Sequence, residues 1–158
     1  GQGGHVRALL LGLALAAAPA VAGAADLTVV APSGAVKVLG EADLAGLPRE
    51  TVKLGAKAYE GPVLSYVLRA GGLPVGARLH GEPLRAFVVV EGKDGFKAVY
   101  SLAELDRDFH DDVVILADKA DGAPLAGKEA PWRLVSGGDR KAWRSVYGVS
   151  RIEAKIAP

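Results

Sequence analysis

The feature that most constrains this chain is the length of its strand-like runs. LTVV (27–30), TVKL (51–54), AFVVVE (86–91), VVILA (113–117), WRLV (132–135) and VSRIEAKI (149–156) are rich in β-branched residues, and none exceeds eight residues. Each meets a Gly, Pro or Asp within two positions of its end. Runs this short bury a strand but do not sustain a helix, so the chain must build sheets from many brief strands. Aromatic residues make up only 6% of the chain, which leaves Val, Leu, Ile and Ala to fill the core.

The turns and helices follow from the intervening residues. Pro32, Ser33 and Gly34 form a turn, and Val36 and Val38 alternate beyond it, so 27–39 reads as a hairpin. EADLAGL (41–47) reads as a short helix ended by Pro48. Pro62 suits a first helical turn. Val63, Leu64, Val67 and Leu68 then share one apolar face until Gly71, Gly72 and Pro74 stop it. Lys93-Asp94-Gly95 turns AFVVVE into FKAVYSL, where Phe96, Ala98 and Tyr100 alternate with polar or outward positions. Ser101 with Glu104 three residues on has the spacing of a capping box for a short helix. These elements predict one α+β domain over residues 25–158, mainly β with a mixed sheet and short helices.

Residues 1–24 read differently. Arg7 precedes an uncharged stretch, ALLLGLALAAAPAVAGAA (8–25), and Ala22-Gly23-Ala24 offers a small-residue cleavage site. That is the layout of a secretory signal peptide. The run is also long enough to span a bilayer, but Pro19, the Ala/Gly content and the weak flanking charge favour export and cleavage. GQGGH (1–5) is compatible with a tag remnant. The expected location is periplasmic or secreted, with no other membrane association. Arg7 is the one Lys or Arg in that segment, so the remainder carries 18 Lys+Arg against 18 Asp+Glu. A near-neutral chain without a basic stripe is not expected to bind nucleic acid. It has no cysteine, which excludes disulfides, thiolate metal ligands and a cysteine nucleophile.

Few residues invite chemistry. His110 sits among Asp106, Asp108, Asp111 and Asp112, but the spacing matches neither an EF-hand loop nor HExxH, and a solvated acidic face is the plainer reading. GxSxG, Walker A and GxGxxG patterns are missing, and no catalytic or metal-ligating residue is nominated. The loop 136–145 differs. Ser136, Gly137 and Gly138 offer converging amides of the kind that bind anions. Arg140, Lys141 and Arg144 add charge, Trp143 adds an aromatic face, and Arg133 lies on the strand before them. These eight residues are the candidate ligand site; a merely solvated charged loop is the alternative.

Several short motifs occur in a suggestive order. They are Tyr59, Gly61, Leu64 and Leu68; Asp94-Gly95-Phe96; Leu116-Ala117 with Gly122-Ala123-Pro124-Leu125; PWRLV (131–135); RKAW (140–143); and Arg151-Ile152-Glu153. In order and spacing the chain resembles the oxidoreductase molybdopterin-binding domain of the sulfite oxidase superfamily over about residues 27–155. The resemblance implies that fold, a molybdopterin cofactor, and a pocket near Arg133, Arg140, Lys141 and Arg144. It also implies a molybdenum-ligating cysteine near 51–61, where this chain has the shortened, cysteine-free TVKLGAKAYEG. The expectation is therefore a non-catalytic module without cofactor that binds a small anion, a pterin-like ligand or a protein partner. The alternative is a molybdopterin-dependent oxidoreductase, or its subunit, that holds the cofactor without a cysteine.

Overall fold

A computed structural model describes residues 25–76 and 79–158; the leader expected at 1–24 lies outside these residues. The first hairpin forms as its alternation predicts, from β1 (Asp26–Val30) and β2 (Val36–Gly40), with Thr28 opposite Val38. The face it buries comes from Leu27, Val29 and Leu39, whereas Val36 and Val38 point outward. Strand β1 also pairs in parallel with the last strand, β11 (Val149–Ile156), in register Val29 to Ile152. Strands β5 (Ala86–Gly92) and β6 (Lys97–Ser101) continue the sheet, giving the order β2-β1-β11-β5-β6.

Helix α1 (Glu41–Ala45) is a single short turn whose Leu44 is buried. Helix α2 (Leu64–Ala70) buries Leu64, Val67 and Leu68 against the inner face of this sheet, where Val88, Val90, Tyr100 and Ile152 wait. Full burial of such side chains contributes roughly 1.5–3 kcal/mol each, so the face read from 3.6-residue spacing anchors the helix. Pro62, expected in the first turn of this helix, instead ends a strand, and Val63 is the N-cap.

The remaining strands form a smaller second layer. β3 (Arg49–Leu54) pairs with β4 (Lys57–Pro62), and the short β8 (Lys119–Ala120) and β9 (Ala123–Pro124) extend it. β7 (Val114–Ala117) pairs with β10 (Arg133–Ser136). Val52, Tyr59, Val63, Ile115, Ala117 and Val135 form a core of their own here. Gly61 is required by this packing: a β-carbon there would collide with the backbone of Leu116 and Ala117. The capping box closes as read, with Glu104 N–H on Ser101 Oγ at 3.1 Å and Ser101 N–H on Glu104 Oε1 at 3.2 Å, although only a 3₁₀ turn (Ala103–Leu105) follows. Among the described residues no helix is long and apolar enough to cross a membrane.

Candidate functional site

The loop between β10 and β11 has a rigid base and an open tip. Its base begins where Ser136 leaves β10 opposite Val114. Gly137 N–H donates to the Val113 carbonyl at 2.8 Å, and Asp139 N–H to the Ser136 carbonyl at 3.4 Å. Gly138 passes so close to the Asp112 side chain that a β-carbon there would require that side chain to move. The double glycine therefore lets the loop clear its neighbours. One of its amides is already used, and a carboxylate stands against it.

The two arginines flanking the loop are both committed inward. Arg133 is 7% exposed. Its guanidinium donates to Tyr59 Oη at 2.6 Å, Ser145 Oγ at 2.8 Å and Tyr147 Oη at 3.2 Å, and it faces Glu129 at 3.7 Å. It also stacks on the rings of Tyr147 (4.3 Å) and Tyr59 (5.0 Å). Ser145 in turn donates to the Leu134 carbonyl at 2.5 Å. A buried cation needs this kind of hydrogen-bonded enclosure to offset its desolvation. Arg133 thereby ties β4, β10 and the end of the loop together.

Arg144 braces the other side. It grips Asp139 with two bonds (3.0 and 2.8 Å), reaches Glu104 at 2.9 Å and the Val99 carbonyl at 3.1 Å, and lies 4.1 Å from the Tyr100 ring centre. The bonds to Asp139 are the foremost reason its pKa is raised. Tyr100 Oη shares a 2.6 Å hydrogen bond with Ser136 and also meets the Arg144 carbonyl at 3.3 Å. Burial is the main cause of the raised Tyr100 pKa.

Arg140, Lys141 and Trp143 remain at the tip, all exposed. Among the described residues neither Arg140 nor Lys141 has a carboxylate within ion-pair distance, and the Lys141 ammonium sits 4.4 Å over the indole of Trp143. The eight residues read from sequence thus lie along one loop and its root, but only these three have side chains directed to solvent without an ion-pair or hydrogen-bond partner, Lys141 and Trp143 touching each other. The bracing groups Tyr59, Tyr100, Glu104 and Tyr147 lay beyond sequence reasoning. They sit up to 74 residues from the arginines they serve, with no short-range signal to link them.

Neighbouring clefts qualify what the site can hold. Beside the loop base is a cleft of about 150 Å³ lined by Tyr100, Glu104, His110, Asp112, Asp139 and Arg144, among others. Three carboxylates meet one guanidinium there, which disfavours an anion. Four others lie elsewhere: about 670 Å³ beside the Arg49–Asp118 pair, 440 Å³ along β3, 260 Å³ at Arg69 and Tyr66, and 200 Å³ among Pro32, Pro74 and Pro83. Among the described residues no three His, Cys, Asp or Glu side chains gather to hold a metal, His110 and its aspartates included.

The residues present match the implied molybdopterin site only in part. Where the family resemblance implies a ligating cysteine, β3 and β4 are joined by a two-residue turn, Gly55-Ala56, with Leu54 opposite Lys57. The stretch holds no soft metal ligand. Of the four cations that the resemblance places near the pterin pocket, Arg133 and Arg144 are committed to internal partners, whereas Arg140 and Lys141 are exposed.

No family model matches the chain. No curated protein matches it either. Among solved structures it is similar to the sulfane dehydrogenase SoxCD from Paracoccus pantotrophus, at a TM-score of 0.58 and 19% identity. The match covers 83% of this chain and 38% of that one, so the chain spans less than two fifths of that protein's length. At this identity the likeness concerns the fold alone. The domain has a mainly β, mixed-sheet α+β fold with few short helices, shared with that dehydrogenase and of the class that the sulfite oxidase resemblance implies.

Proposed function

We propose that this chain is an exported member of the sulfite oxidase-type fold that acts as a non-redox binding module for an acidic ligand or partner. The observation that carries the reading is the tip of the β10–β11 loop. Two cations without carboxylate partners and an exposed tryptophan, which Lys141 overlies, stand on a base that Arg144 braces. The Gly55-Ala56 turn in place of a thiolate-bearing segment supports the non-redox part. Arg133 and Arg144 belong to the scaffold of the site, and Arg140, Lys141 and Trp143 to its contact surface.

The test is to produce the full chain in a host that makes the molybdenum cofactor. Molybdenum content and pterin fluorescence after oxidation are then measured on the purified protein. The reading expects neither above background. A stoichiometric signal would favour the competing oxidoreductase reading, with the cofactor held without a protein thiolate.

A further inference from the structure

We propose that the 140–143 segment anchors a protein–protein interface, and that the partner presents an apolar slot ringed by carboxylates. This rests on the binding-module reading and names the class of its partner. Trp143 is 76% exposed, the most exposed large apolar side chain among the described residues. A single exposed tryptophan is by itself unremarked surface chemistry. Here, however, it is displayed on a preformed mount. Arg144, the next residue, is fixed by Asp139, Glu104, the Val99 carbonyl and the Tyr100 ring. A segment already ordered loses little conformational freedom on binding, and Trp with Arg is the composition of interface hot spots.

Shape disfavours an enclosed small-ligand site. Arg140, Lys141 and Trp143 line none of the five clefts described above, and small-molecule sites enclose most of their ligand. Charge alone holds the tip only weakly to a membrane. Each cation beside an anionic bilayer raises affinity roughly fivefold, so two give about 25-fold, and a chain with balanced charge adds nothing at longer range. A concave protein surface satisfies both the indole and the cations. Its carboxylates pair with Arg140 and Lys141, and its slot removes the Trp143 ring from water.

The experiment places a photoreactive benzoylphenylalanine at position 143 of the full chain in its native host, with position 38 on the opposite sheet edge as control. Irradiation is expected to give one protein adduct from position 143 and none from 38. The captured protein is then purified and titrated at two salt concentrations. Trp143→Ala is expected to weaken binding about 30-fold or more, and Trp143→Phe less. Arg140→Glu with Lys141→Glu is expected to weaken it about 10-fold and to flatten the salt dependence. Circular dichroism and the emission of buried Trp132 confirm that each variant is folded. No adduct at 143, or variants that bind within twofold of wild type, overturns the proposal. So does saturable quenching of Trp143 by pyrophosphate or by phosphatidylglycerol vesicles at physiological salt. None of these results produces molybdenum or pterin, so they are distinct from failure of the binding-module reading.

Discussion

Arg133 and Arg140 lie seven residues apart on one strand–loop unit and have opposite fates. Arg133 is enclosed by two tyrosines, a serine and Glu129. Arg140 stands in solvent without an ion-pair partner among the described residues. Their chemistry is the same, so the difference comes from what the fold brings near. A guanidinium whose donors are all answered by its own protein is scaffold. One left unanswered is available to something else.

That contrast can be broken most severely at Arg133. Arg133→Met is expected to cost about 3–5 kcal/mol, because Glu129 and three hydroxyls lose a buried partner. Urea unfolding measures it, and a loss below about 1 kcal/mol would make the enclosure ornamental. Arg144→Ala should cost less, about 1 kcal/mol, since its side chain is more than one-third exposed and its ion pairs are screened. Its larger effect is expected on the loop. Trypsin should cut after Arg140 and Lys141 several-fold faster than in wild type, and an unchanged rate would show that the brace is not what orders the tip.

Tyr100 sharpens the comparison through pH. Its folded pKa is raised by burial above the ordinary value of about 10. The unfolded chain therefore releases this proton first as pH rises. The stabilisation is fully present below about pH 10 and is lost above it. The urea midpoint should fall more steeply above pH 10 in wild type than in Tyr100→Phe. Parallel curves would refute the assignment. The smallest effect belongs to the tip. Trp143→Ala and the Arg140→Ala, Lys141→Ala pair should each change stability by no more than about 0.5 kcal/mol. A larger loss would place these side chains in the scaffold with Arg133.

Much of the fold is legible locally. The face of α2, the β1–β2 hairpin and the Ser101–Glu104 box each depend on residues within a few positions of one another. Strand β4 is not. KAYEGP (57–62) has little alternation and ends in proline, and it is a strand because it pairs with β3 and β8 and Gly61 lets β7 pack against it. Nor does alternation say which face of β2 is buried. Val36 and Val38 face outward because Leu39 joins the core on the other side.

The sequence by itself determined most of the element types, the cysteine-free chemistry and the clustering of cations with Trp143, all properties of composition and short spacing. Only the tertiary structure decided which of those cations are available. Arg144 meets Glu104 forty residues away, and Arg133 meets Tyr59 seventy-four residues away. Such pairings arise when distant strands are packed together, and their geometry leaves no mark on the spacing of neighbouring residues.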